Sequence, residues 1–261
     1  MALNHLDSLK QFFLKVLTVQ KSLQSINHSW LENIKTSVVN HIFPDPINFD
    51  IQDDKKQVDY FNQLLGTDDS AIKWTINKSS KCRIVIDENN RESISAEFLS
   101  NIYCQLSVPV FEHICVLLKE LSESQSGKSI HIINKFDIEF RDQLIEIDNK
   151  KNLNTPTIQI FHNLRLFRNC ITHSGCDINE LENSFNMFND QIENNKNYKR
   201  LKFYGALKKE SYHYSINEKA GKIQLNNSSF LKLLDLYSQL AYIVYLCYCN
   251  KNNIRDEFSN T

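Results

Sequence analysis

The sequence predicts an all-α helical bundle with one small β-hairpin before its last helix. Its 261 residues hold only five glycines and four prolines, too few chain breakers for a fold made of many turns. Apolar positions recur three and four residues apart over long stretches, which is the period of one helix face. The clearest alternation of period two lies in "SYHYSINEKAGKIQL", on either side of Ala220-Gly221, and it reads as a hairpin.

The elements follow in chain order. Residues 3 to about 40 contain no Gly or Pro, and Leu6, Leu9, Phe12, Phe13, Val16 and Leu17 fall on one helical stripe. One long helix or two in tandem is expected there, closed by the two prolines of "FPDPINFD". Residues 51–90 are polar, with a short helix over Val58 to Leu65 and a strand-like "CRIVID". A second long helical run spans Glu92 to Leu121, with Pro109 as a kink or break. After the turn "SESQSGKS", Ile138 to Ile147 reads as a short helix. Thr155 as N-cap and Pro156 at the first helical position then open a helix that should stop at Gly175. "DINELENSFNMFNDQIE" is a further helix, and "NNSSF" caps the last one. Domain organisation follows from this pass: an N-terminal helical extension over 1–90, and a helical domain over 91–261.

Composition narrows the function classes. The formal charge is −1, so any contact with nucleic acid has to be local rather than a property of the whole surface. Seven cysteines are scattered through apolar runs without a C-x-x-C pair or zinc-ligand spacing. They read as reduced core residues of a cytoplasmic protein. "MALNHLDSLKQFF" is amphipathic and charged, unlike a signal peptide. Phe230 to Cys249 is long and apolar, yet Lys232, Asp235 and Gln239 interrupt it. A buried terminal helix is expected there rather than a membrane span. No glycine-rich phosphate loop, G-x-S-x-G elbow or H-E-x-x-H pair is present, so nucleotide hydrolysis, serine esterase and zinc protease readings lack support, and no metal or cofactor is expected.

Chemistry concentrates in "FRNCITHSGCD", Phe167 to Asp177. On the helix opened at Thr155, Ile160, Leu164, Phe167 and Ile171 form the core stripe. Arg165, Asn169 and His173 form a polar line opposite, with Arg168 at the border. Arg168 and His173 lie about 140° apart around a straight helix. They converge on one group only if the helix end distorts, or if a two-fold axis brings in a second copy. A histidine titrating near neutrality suits proton transfer, and an arginine fork suits charge on phosphate oxygens. The same residues are also what a helix C-terminus favours electrostatically, so a purely structural helix end is the competing reading.

Arg168-Asn169-Cys170-Ile171-Thr172-His173 resembles the R-N-x-x-x-H form of the R-x4–6-H signature of HEPN domains. These are helical bundles, many of them metal-independent ribonucleases of toxin–antitoxin, abortive-infection and CRISPR systems, and others degenerate binding modules. The context "LRLFRNCITHSG" is similar to that of the superfamily, and "VPVFEHICVLLKEL" looks like one of its core helices, with Phe111-Glu112 on the bundle-facing side. The likeness covers about Glu92 to Gly175 and extends weakly to the C-terminal helix. It implies a HEPN-type bundle that cleaves RNA through the RNA's own 2′-hydroxyl. His173 would be acid or base, Arg168 the phosphate binder, Asn169 the positioner, and Glu112 the support for Arg168. An exposed or capping carboxylate is the plainer reading of Glu112. The resemblance also implies a homodimer, RNA as partner, and an antitoxin or regulatory protein. One departure is Gly175, where the subgroup silenced by nucleotidyltransferase antitoxins carries tyrosine. That mode of silencing is not implied here.

Two further features bear on RNA. Arg165 is either a phosphate contact or a solvated surface arginine. In "NKNYKRLKFYGALKK", Asn195 to Lys209, the cations Lys199, Arg200 and Lys202 interleave with Tyr198, Phe203 and Tyr204. That mixture suits single-stranded RNA and also suits an ordinary solvated loop. His113, His162 and His213 read as surface or packing residues.

Overall fold

The computed structural model describes residues 5–25, 88–195, 198, 201–207, 215–217 and 221–256. The chain divides into two compact units, Met1–Leu23 with Ser100–Thr261, and Gln24–Leu99. "FPDPINFD", the Val58 to Leu65 helix and "CRIVID" lie outside the described residues.

The all-α expectation holds. Six helices are described: α1 (His5–Ser25), α2 (Glu88–Leu121), α3 (Ser129–Lys150), α4 (Thr157–His173), α5 (Ile178–Asn194) and α6 (Asn227–Asn252). A 3-10 turn occupies Leu201–Tyr204, and strands β1 (Ser215–Asn217) and β2 (Lys222–Gln224) precede α6. The strands pair antiparallel with Ile216 opposite Ile223, so the hairpin falls where the alternation placed it. Gly221 takes φ +61° at its turn, a conformation that costs glycine nothing.

Helix α6 is the centre of the unit. Phe230, Leu233, Leu234, Tyr237, Leu240, Ala241, Val244 and Tyr245 are all buried. They cover much of the helix surface, as expected of a core helix. Its N-cap is Asn226, whose side chain accepts from the Ser229 N–H at 2.8 Å, satisfying an otherwise orphaned donor. α3 packs against both α6 and α4, and α4 packs against α5. α2 reaches α6 through the ring pairs Tyr103–Phe230, 5.3 Å apart, and Phe111–Tyr237, 6.5 Å apart. Leu9, Phe12 and Val16 are the buried stripe of α1, and Phe12 faces a groove of about 270 Å³ that α2 closes with His113 and Leu117. By length and composition two helices, Leu99–Leu121 and Asn227–Asn252, could cross a membrane, and about half of each apolar window is buried inside the protein.

Three expectations are corrected, and that of a kink or break at Pro109 is narrowed. Pro109 does not break its helix, which runs on from Glu88 to Leu121. The missing N–H removes one ladder bond, while Val110, Phe111, Ile114, Leu117 and Leu118, all buried, hold the following turns in place. The short helix Ile138 to Ile147 is the second half of the longer α3. Its first half is anchored by buried Ile132, Ile133 and Phe136, and Phe140 is a non-helical residue (φ −124°, ψ 18°) at the join. The cap of α4 is also not Thr155. Pro156 stands at the N-cap and lacks a capping side chain. The carboxylate of Asp148, at the end of α3, supplies it: Oδ2 accepts from the Thr157 N–H at 3.0 Å and Oδ1 from its hydroxyl at 2.5 Å. Finally, Arg165 is not a solvated arginine, as described next.

Candidate functional site

The polar end of α4 is built by its capping chemistry. The helix closes at Ser174, whose N–H donates to the Cys170 carbonyl at 3.0 Å. Gly175 and Cys176 then take φ +57° and +66°, reversing the chain within two residues. Asp177 caps α5 by accepting from Asn179 and Glu180 N–H groups at 2.8 and 3.2 Å. The turn is also tied to the hairpin, since Ile223 N–H donates to the Cys176 carbonyl at 2.8 Å. The last turn of α4 is thereby fixed from both sides.

The structure brings Glu112, Arg168 and Asn169 together. The Arg168 Nη2 forms an ion pair with Glu112 Oε1 across the α2–α4 contact. Its Nη1 donates to Asn169 Oδ1 at 3.2 Å. Arg168 is about one quarter exposed and Glu112 about one half, so the fork sits at the rim of the bundle rather than inside it. Asn169 uses its oxygen on Arg168, and its amide nitrogen carries no hydrogen bond among the described residues.

His173 does not join them. It is exposed and its ring makes no hydrogen bond or ion pair among the described residues. With α4 helical to its end, the separation of about 140° from Arg168 stands. Within one chain, then, this helix end offers a held guanidinium, a free amide donor and a solvent-facing imidazole that do not converge.

Beneath this rim, Arg165 is buried with only 7% of its surface exposed. Its guanidinium lies 4.7 Å from the centre of the Phe188 ring, and its Nε and Nη2 have no hydrogen-bond partner. Burial pushes its pKa down to about 10, as expected for a cation removed from water without a carboxylate. The polar line of α4 therefore starts in the interior at Arg165, passes half-buried Asn169 and ends in solvent at His173. The sequence pattern could not show that α5 covers its first member. His162, one turn earlier, is fully inside, its ring centre 4.9 Å from that of Phe188 with the planes tilted by 41°. Both its ring nitrogens lack partners. Burial first, and then Arg165, hold its pKa well below the usual histidine range.

Arg165 and Arg168 are three residues apart and so neighbours on one face. Glu112 pairs with Arg168 alone, and Arg165 has no carboxylate partner among the described residues. The pair thus leaves one unit of positive charge in a partly dry setting, which suits a phosphate oxygen.

The basic segment is elsewhere. Lys202 is exposed on the 3-10 turn, and Lys199 and Arg200 lie outside the described residues. Gln159 of α4 donates to the Tyr204 carbonyl at 2.6 Å. Nine residues separate Gln159 from Arg168, about half a turn around the helix after whole turns are removed. Lys202 therefore belongs to the opposite face of α4 from the Arg168 rim.

Sequence reading missed one more group. Buried Asp137 accepts from Tyr204 Oη at 2.5 Å and is paired with Arg141. Asp137 and Arg141 were visible as an i, i+4 pair, but nothing local announces a tyrosine 67 positions away. No group of three or more metal-ligating side chains occurs among the described residues. No protein-family model, curated protein or solved structure matches the chain.

Proposed function

We propose that the chain is a metal-independent endoribonuclease of HEPN type, acting as a cytoplasmic toxin or phage-defence effector. The observation that carries this reading is the Glu112–Arg168–Asn169 cluster on the final turns of the helix that ends in His173. A guanidinium held by a carboxylate keeps its orientation without an entropic cost at the moment of reaction. Arg168, with Arg165 beneath it, would take the charge that grows on the phosphate oxygens.

His173 has to come from a second copy to reach the same phosphate, because on one helix it points away. A two-fold dimer joining the α4 ends places two Arg168–His173 pairs in one cleft. One imidazole then takes the proton of the 2′-hydroxyl as that oxygen attacks phosphorus. The other, protonated, delivers a proton to the departing 5′-oxygen. The products are a 2′,3′-cyclic phosphate and a 5′-hydroxyl. A regulatory protein or antitoxin that covers the rim would silence it.

A second reading is an RNA-binding module of the same fold without turnover. The observation in its favour is that Glu112 already neutralises Arg168 and His173 stands alone. Incubating RNA with the purified protein in EDTA separates the two. Cyclic phosphate ends support the ribonuclease, and saturable binding with intact RNA supports the module.

A further inference from the structure

The aromatic residues of the basic segment are not equivalent. Tyr198 is half-buried and packs edge-on against Phe188, 6.0 Å away at 73°. Tyr204 is tied down by its hydroxyl on Asp137. Phe203 between them is 66% exposed, the most exposed large apolar side chain of the described residues.

This exposure is imposed by anchors on either side. Leu201 and Leu207 are each 4% exposed and plug into the bundle. Gln159 holds the Tyr204 carbonyl. Asn189 clamps Leu207 twice, accepting from its N–H at 2.7 Å and donating to its carbonyl at 3.0 Å. Gly205, at φ +75°, turns the chain between these anchors. A phenyl ring free to move would fold against the nearest apolar surface; here the backbone holds it outward. Its edge contact with Tyr204 (5.2 Å, 86°) and the Arg141 guanidinium 5.8 Å from its centre brace it.

In sequence the charge flanking it has one sign, and the carboxylate nearby in space, Asp137, is buried and taken up by Arg141 and Tyr204. Residues 195–209 contain six lysines and arginines and no carboxylate, in a chain whose formal charge is −1. A flat, preordered apolar face next in sequence to exposed Lys202 and 5.8 Å from the Arg141 guanidinium matches a nucleobase with its phosphate, since each base has a π-face to stack and a negative charge alongside.

We infer that Phe203 is a base-stacking platform for single-stranded RNA, placed on the face of α4 opposite Arg168 and separate from the reacting centre. The inference rests on RNA being the ligand, as in the functional proposal. It adds a binding residue that grips the strand away from the cleavage point.

The test uses the full chain and a fluorescein-labelled 2′-O-methyl oligoribonucleotide of about 12 nucleotides, which has no free 2′-hydroxyl to react. Binding is read by anisotropy for the wild type, Phe203→Ala and Phe203→Trp. Phe203→Ala should weaken binding about ten-fold or more, with the salt dependence unchanged because no phosphate contact is lost. Phe203→Trp should bind within about two-fold of the wild type, and the added indole should be quenched by the stacked base. Equal affinity for the wild type and Phe203→Ala overturns the platform while leaving RNA as the ligand. Equal weakening by alanine and tryptophan also overturns it. No binding by the wild type overturns the platform and the RNA reading together.

Discussion

Replacing His162 with phenylalanine should remove an acid-sensitive component of stability whose direction follows from the structure. His162 is buried, and both ring nitrogens lack partners. Its pKa in the folded protein lies well below the ordinary 6.5. The folded protein thus keeps the ring neutral at pH values where the unfolded chain takes up a proton. Below pH 6.5 the unfolded state binds the extra proton, so stability falls with pH by about 1.4 kcal/mol per unit. That loss continues through the acid range for as long as the folded ring stays neutral while the unfolded one is charged. His113, also shifted down by burial, contributes in the same direction. Asp148, shifted up by burial, contributes in the opposite one. Both are present in the variant and cancel in the difference. Phenylalanine keeps a flat ring beside Phe188 and forfeits no hydrogen bond, and the cost of its larger volume is the same at every pH. Urea unfolding of both proteins, followed by circular dichroism across this range, measures the difference directly. The advantage of His162→Phe should grow steadily as pH falls below 6.5, at a slope approaching about 1.4 kcal/mol per pH unit. A difference that stays constant with pH would refute the reasoning, because it would mean that the buried ring carries its proton.

Two other substitutions probe the scaffold and the rim. Asp148→Ala removes the cap that α3 lends to α4 and should cost about 1–2 kcal/mol in a denaturant titration; no loss would show that Thr155 or solvent satisfies the Thr157 N–H instead. Glu112→Gln breaks a half-exposed ion pair, so stability should change by less than about 1 kcal/mol. RNA cleavage should nevertheless fall about ten-fold as Arg168 loses its orientation. Unchanged cleavage would remove Glu112 from the positioning role.

How much of this was legible depended on whether the signal was local. The apolar spacing of α4, the Gly175 stop and the Ala220-Gly221 hairpin are written in adjacent residues, and each stands where the pattern put it. The first half of α3 was hidden because "SIHIINKF" is rich in β-branched residues, which lower helix propensity; burial of Ile133 and Phe136 overrides that preference. The Asp148 cap and the Tyr204–Asp137 bond link residues far apart in sequence, and no local rule finds them. Arg165 misled for a related reason. Its position opposite the apolar stripe marks it as polar, but whether that face meets water depends on where α5 and Phe188 pack. Arg168 and Glu112 show the converse: their ion pair across two helices was one of two readings open for Glu112, suggested by the resemblance and not by spacing.

The measurement that bears most directly on the proposed function is RNA cleavage in EDTA by the wild type, Arg168→Ala and His173→Ala, all checked for unchanged helical content. The account predicts cleavage by the wild type with 2′,3′-cyclic phosphate ends, and loss of at least about 100-fold in each variant. Cleavage that survives both substitutions, or that vanishes for the wild type when metal is chelated, would contradict it.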